Sequence, residues 1–252
     1  METFDTKYGL ITLYKNEVFI GESFRRGLYW DEKALLKLKE FIDPNKNILE
    51  IGGHCGTSSI LYASFLNPGK KVYVFEPQYN MYSLLLKNIN QNNLQHKIIP
   101  YNLGVFCYNG VGKMNNIDLD GGGGVVQKRY NEENELGCNF GGIGLGEDGE
   151  QISLFTIDSM NVDNIGFIHC DAQGAENFIF SKGIETIKKH KPLILYENNY
   201  VYAKHFHDNV CKSYPMYKEE SEFDIKKFCM EELGYEFYFD RFDGGIDTLL
   251  IP

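Results

Sequence analysis

The residues with the clearest chemical signature lie in residues 48–59, ILEIGGHCGTSS, with a second acidic position about 20 residues further on. Glu50 is followed by Gly52, Gly53, His54, Cys55 and Gly56, an acidic-x-Gly-x-x-x-Gly pattern. Such a turn between a strand and a helix lets backbone approach a ligand closely. The helix after it offers free N–H groups to an anionic group such as a carboxylate. A dinucleotide fingerprint needs Gly-x-Gly-x-x-Gly, and His54 breaks it. The next apolar run, VYVFEP, ends in Glu76. An acid at that spacing accepts hydrogen bonds from both hydroxyls of a ribose. Together the turn and the acid point to nucleoside binding.

Those positions need an alternating strand and helix frame. Short apolar strands are expected at 47–51, 71–75, 97–103, 151–156, 166–170 and 193–197. Helical patterns over 57–66, 79–90, 177–190 and 223–233 separate or follow them. This rhythm calls for right-handed crossovers and a parallel sheet. Residues 236–240 and 247–251 read as a terminal antiparallel hairpin turning at Asp243-Gly244-Gly245. Upstream, residues 8–20 read as a hairpin turning at Lys15-Asn16, and residues 30–42 as a helix with Asp31 as its N-cap. Residues 198–222 read as a polar loop. Half of the 26 glycines fall between Gly104 and Gly149, including the run 121–124 and GGIGLG at 141–146. So many glycines disfavour helix. The segment reads as an insertion at about 104–150, a loose β-hairpin with loops able to close over a substrate. The expected organisation is a hairpin and cap helix over 1–46, then one domain over 47–252.

Composition narrows the function. The net charge is −10, and a nucleic-acid binder needs a basic stripe; the densest basic stretch, 182–191, reads as a solvated helix face. The six cysteines lack zinc-knuckle or redox spacing and read as reduced thiols. The N-terminal residues carry no signal-peptide pattern, and no apolar run approaches the roughly 20 residues of a membrane span. A cytoplasmic protein with no membrane insertion is the expectation; the oligomeric state is not legible.

The blocks in order resemble the FkbM family of S-adenosylmethionine (SAM) dependent methyltransferases. Its first motif, an acid followed by IGAN-x-G, is matched by Glu50-Ile51-Gly52-Gly53-His54-Cys55-Gly56, and its Glu-Pro by Glu76-Pro77. Its Lys-Ile-Asp-x-Glu-Gly-x-Glu block is matched by His169-Cys170-Asp171-Ala172-Gln173-Gly174-Ala175-Glu176. A threonine-leucine-aspartate lead-in is matched by Thr156-Ile157-Asp158, and a proline-aliphatic-Glu block by residues 192–197. The resemblance implies a Rossmann-like class I methyltransferase fold: a mostly parallel seven-stranded α/β sheet, helices on both faces, and a C-terminal antiparallel hairpin. It implies SAM as cofactor. Glu50, Gly52 and Gly53 would lie under its methionine half beside His54. Gly56, Thr57 and Ser58 would lie near its carboxylate, Glu76 and Pro77 at the ribose, and Tyr101, Asn102 and Leu103 at the adenine. Asp171 would face the same crevice, at the carboxyl edge where such sheets collect ligands.

Transfer of a methyl group from sulfonium to oxygen needs alignment and the removal of one proton. Asp171, Glu176 and Glu197 are the candidate catalytic groups, since each sits at or just beyond a strand end. His54 and His169 can titrate near neutrality. Tyr29-Trp30-Asp31 is a candidate pocket wall, and Glu197-Asn198-Asn199-Tyr200 a candidate acceptor edge. No compact metal-ligand cluster is expected, and His205-x-His207 reads as solvated loop. The chain departs from the family at His54 (Asn), His169 (Lys) and Gln173 (Glu). The expected reaction is O-methylation of a sugar or glycan hydroxyl on a small-molecule or glycan acceptor, with no nucleic acid. The alternatives are a SAM-binding protein impaired by the charge lost at Gln173, or an NAD-dependent Rossmann enzyme.

Overall fold

The computed structural model describes residues 1–116 and 137–252, except for the side chains at 200–202 and 205. The glycine run 121–124 lies outside the described residues.

Five apolar strands form the parallel centre. They are β3 (Asn47–Ile51), β4 (Val72–Phe75), β5 (Ile98–Tyr101), β10 (Ile165–Cys170) and β11 (Leu193–Glu197). Strands covered on both faces read as continuous apolar runs rather than alternating ones, and NILEI and LILYE do so. β12 (Phe237–Phe239) and β13 (Asp247–Ile251) complete the sheet in the order β12-β13-β11-β10-β3-β4-β5. β13 runs antiparallel to both β11 and β12, which is the expected terminal hairpin.

Helices cover both faces. Tyr62, on α3 (Thr57–Phe65), meets Phe167 and His169 edge-on at 5.5 and 5.7 Å. Phe180, on α5 (Glu176–Ser181), meets Tyr196 at 5.8 Å. Tyr196 is in register with Cys170, so by strand alternation it points away from the face holding Phe167 and His169. The strand order reverses between β3 and β10. Their carboxyl ends meet there, with the Asp171 N–H donating to the Ile51 carbonyl at 3.0 Å.

Several local expectations are corrected. The N-terminal hairpin is β1 (Glu2–Thr6) with β2 (Gly9–Leu13), turning at Lys7-Tyr8 rather than at Lys15-Asn16. The Thr6 hydroxyl fixes that turn by donating to the Gly9 carbonyl and accepting from the Tyr8 N–H. The free edge of β2 is met by Asn88 of α4 (Tyr79–Gln91), whose amide bonds both the N–H and the carbonyl of Thr12. Residues 16–18 pair instead with Cys138.

The helix expected over 30–42 is α2 (Glu32–Leu38), preceded by an unexpected α1 (Ile20–Arg25). Asp31 makes no side-chain cap; it stands at φ 50°, in the left-handed region. The helix expected over 177–190 breaks into α5 and α6 (Ile184–His190). A Cβ at Gly183 would lie 2.9 Å from Ile157, and Asp158 accepts the Thr186 N–H at the start of α6. The expected polar loop holds α7 (Tyr200–Ser213). Its Phe206 buries against Phe178 at 5.7 Å. In the region expected as helix 223–233, a short helix (Ile225–Lys227) passes into one wide helical turn over Phe228–Glu232.

The glycine-rich insertion is not a loose hairpin in its described part. β6 (Gly104–Val105), β7 (Gly110–Met114), β8 (Leu145–Gly146) and β9 (Gln151–Phe155) form a separate sheet ordered β6-β9-β7-β8. The strand expected at 151–156 belongs here and not to the central sheet. The glycines are packing positions: a Cβ on Gly104 or Gly112 would lie 2.7 or 2.5 Å from a Leu154 methyl. Leu154 is buried between them. Among the described cysteines five are buried, and all six are free thiols. Among the described residues no helix is long and apolar enough to cross a membrane.

Candidate active site

A cavity of about 370 Å³ opens at the carboxyl ends of β3, β4, β10 and β11. It lies where the strand order reverses, the usual ligand position in open α/β sheets. Among the expected residues, Gly52, Gly53, His54, Thr57, Ser58, Glu76, Pro77, Leu103, Asp171 and Glu197 line it. Glu50, Gly56, Asn102 and Glu176 do not; each lies one layer behind.

Glu50 is fully buried and accepts from the Ser58 and Ser59 hydroxyls, fixing the first turn of α3. The Asn102 amide donates to the carbonyls of Glu76 and Pro77, both at 2.9 Å. It holds the loop after β4 rather than facing the cavity. Gly56 stands at φ 89°, and a Cβ there would lie 2.6 Å from Leu85. Gly52 stands at φ 86°, and a Cβ there would lie 1.8 Å from the Asp171 carbonyl oxygen. These two glycines are therefore required by the packing of the protein itself, not only by a ligand's approach.

On one side of the cavity the polar groups are set by backbone. Glu76 accepts the His54 N–H at 2.7 Å on one oxygen and the Gln78 N–H at 2.8 Å on the other. Burial pushes its carboxyl up to about 8, against the pull of those two N–H groups. Both oxygens keep lone pairs for further donors. The His54 ring is buried with both nitrogens unpartnered. Burial pulls it down to about 4, so it is neutral at pH 7 and offers one donor and one acceptor.

On the other side, carboxylates converge from distant segments. Asp171, Glu176 and Glu197 bring one oxygen each within 4.8 Å of one another. Gln173, at φ 53°, donates from its amide to Asp171 at 2.9 Å and to Glu197 at 3.2 Å. Glu176 accepts the Ala172 N–H at 2.8 Å from behind. Burial and the Asp171 charge raise the carboxyls of Glu197 and Glu176, and the Glu176 charge adds to the rise at Glu197. Hard oxygen ligands so placed are of the type that holds a divalent cation, although no metal ligands were expected from the sequence.

The wall is completed by Trp30, Asp31, His169 and Asp247. His169 Nδ1 lies 3.2 Å from the Tyr62 hydroxyl and 3.9 Å from Glu50. Burial lowers the imidazole, but Glu50, Asp247 and Asp171 outweigh it and raise it overall. Asp247 is pushed up to about 6 by burial, with His169 opposing. Partial burial and the Asp171 charge raise Asp31 at the rim. The Trp30-Asp31 wall is as expected, whereas Tyr29 turns away and donates to the Thr57 carbonyl at 2.7 Å.

Asp247 is the residue that sequence reasoning missed; it sits at the start of a strand with no motif around it. Asn198 bonds Thr248 rather than facing the cavity, and the Tyr200 side chain lies outside the described residues. His207 contacts the Gly174 carbonyl oxygen at 3.1 Å, while the His205 side chain lies outside the described residues. Asn139, Ile143, Gly144 and Leu145 bring the insertion to the cavity.

Strand order, antiparallel final hairpin and cavity position define a class I methyltransferase fold. Within that class the chain belongs to the FkbM methyltransferase family: the family model described as Methyltransferase FkbM domain matches residues 50–237. A methyltransferase FkbM structure from Methylobacillus flagellatus is similar over 92% of this chain, with TM-score 0.50 and 11% identity. The chain spans 60% of that structure's length. A Staphylococcus aureus structure described as a caffeoyl-CoA O-methyltransferase covers 94% of this chain and is itself covered over 93%, at 16% identity and TM-score 0.46. A Klebsiella pneumoniae structure described as an O-methyltransferase covers 92%, is covered over 86%, and gives 13% and 0.44. No curated protein sequence matches the chain.

Proposed function

We propose that the protein is a SAM-dependent O-methyltransferase acting on a neutral sugar or glycan hydroxyl. The carrying observation is the two-sided cavity, with backbone-set polar groups on one wall and clustered carboxylates on the other. The first wall fits SAM. The two unpartnered His54 nitrogens need polar partners, and the paired Glu76 oxygens suit ribose hydroxyls. The N-terminus of the nine-residue helix α3, at Thr57 and Ser58, suits a carboxylate. When bound, SAM supplies an electrophilic methyl group.

The chain's own residues then act on the acceptor. Asp171 is the candidate proton acceptor, held in place by the Gln173 amide, which also bonds Glu197; Glu176 supports the loop beneath them. His169 stands on the same wall with its Nδ1 engaged by Tyr62. Five carboxylates line the cavity (Asp31, Glu76, Asp171, Glu197 and Asp247) and, among the described residues, no Lys or Arg does. With no Lys or Arg to pair a phosphate and Asp171 among its acidic groups, the lining suits a sulfonium cofactor better than a phosphorylated acceptor or a nucleic acid.

Gln173 also favours a second reading, a cofactor binder with weakened transfer, because an amide stands where the family carries a charge. One pair of experiments separates the readings. Calorimetric titration with S-adenosylhomocysteine (SAH) and with NAD should show SAH binding alone; NAD binding without SAH binding overturns the cofactor. Methyl-labelled SAM with a panel of neutral glycans should label a hydroxyl. SAH binding with no transfer to any glycan overturns the acceptor and leaves the binder.

A further inference from the structure

We infer that a second cavity, beside the first, holds the remote units of a neutral oligosaccharide acceptor; this rests on the glycan reading above. The cofactor cavity is small, at the low end of the range for ligand pockets. A nucleoside cofactor leaves it little room for an extended acceptor. The second cavity, of about 790 Å³, lies between the insertion sheet and α7.

The two are neighbours through β8. Leu145 lines both. A Cβ on Gly144, one residue before, would lie 3.3 Å from Gln173, and Gly146, one residue after, lines the second cavity. A chain passing over Leu145 therefore arrives beside Gln173, the residue that bridges Asp171 and Glu197.

The walls select the ligand's chemistry. Tyr108 and Tyr217 stack at 5.4 Å with 8° between their planes, and Tyr214 tilts against Tyr217 at 6.2 Å. Such rings offer apolar faces and polar rims, matching the C–H faces of sugar rings. Lys113 and Lys212 stand with Glu147 and Asp148 on the same walls. Two cations and two anions give no net preference for a charged polymer. Hydroxyls, which both donate and accept, pair with either sign. A polyol with flat apolar faces meets both requirements.

The test uses the full chain saturated with SAH and neutral gluco-, manno- and galacto-oligosaccharides of one to five units, with affinity measured by calorimetry. Affinity should rise with length until the second cavity is filled. Tyr214→Ala, at a half-exposed ring that can be removed without opening the core, should lower affinity for the longest bound oligosaccharide about tenfold. It should leave affinity for the monosaccharide and for SAH unchanged. Asp148→Asn should act in the same direction. Length-independent sugar binding, indifferent to Tyr214→Ala, overturns the second cavity and leaves the acceptor class standing. Failure of every sugar to bind while SAH binds overturns both. Preference for sulfated or phosphorylated oligosaccharides, or for peptides, overturns the ligand class.

Discussion

The two walls of the cavity are built by opposite means. The cofactor wall comes from one short stretch of chain, 52–58, and one loop, 76–78. Its groups are aimed by backbone N–H bonds within and between those segments. The opposite wall draws Asp31, His169 with Asp171, Glu197 and Asp247 from four separate places. Its groups are aimed by side chains: Gln173 on Asp171 and Glu197, and Tyr62 on His169. A wall aimed by backbone keeps its geometry when side chains change. A wall aimed by side chains can be retuned by single substitutions, as at Gln173, whose amide bonds both Asp171 and Glu197.

Where the walls touch, the difference should vanish. Gly52 belongs to the first and contacts the Asp171 carbonyl of the second. Gly52→Ala puts a methyl 1.8 Å from that oxygen at φ 86°. Strain and overpacking together should cost about 3 kcal/mol or more, read as a lowered unfolding midpoint in denaturant, with SAH binding lost as well. Wild-type stability in this variant would mean that β3 and β10 do not meet as described.

Asp171→Asn tests the separation directly. If Asp171 takes the acceptor's proton, the labelled-SAM transfer rate should fall about 10²-fold or more, while calorimetric SAH affinity stays near wild type. A matching fall in SAH affinity would place Asp171 on the cofactor wall and break the division. Gln173→Ala should act more mildly. It removes hydrogen bonds to two carboxylates, worth about 1–3 kcal/mol in total. The loss should show as slower transfer and a displaced pH profile rather than as weaker SAH binding.

The same contrast explains what the sequence could tell. The sheet was legible because β3, β4, β10, β11 and β13 are short apolar runs, and buried strands need little else. Glu76 and the glycine turn were legible because their spacing is local. Asp247 was not, since its place depends on β13 pairing with β11 across 50 residues of chain. The N-terminal hairpin was shifted because the Thr6 turn and the Asn88 contact, rather than alternation, set its register. The sheet in the insertion is hidden in the sequence because its glycines, which suggest loose loops, serve side-chain packing around Leu154. The α7 segment has the polar composition of a loop, which hides one anchoring aromatic, Phe206, that packs on a distant helix.

The smallest effect concerns the cofactor wall alone. Glu76 is raised from 4.5 to about 8 by burial. Between those values the folded protein holds a proton that the unfolded chain has released, so stability falls as pH rises through that window. Glu76→Gln removes this share, and its thermal midpoint without ligand should depend less on pH between 5 and 8. Glu197 and Glu176 are raised as well, so the wild-type slope will be reduced rather than abolished. Glu76→Ala should also weaken SAH binding by about 1 kcal/mol, the net worth of a lost hydrogen bond to ribose. Because the His54 N–H that Glu76 accepts belongs to the backbone, neither variant should alter the transfer rate at saturating SAM. A rate that falls with Glu76→Gln would show that the two walls are coupled through Gly52 rather than independent.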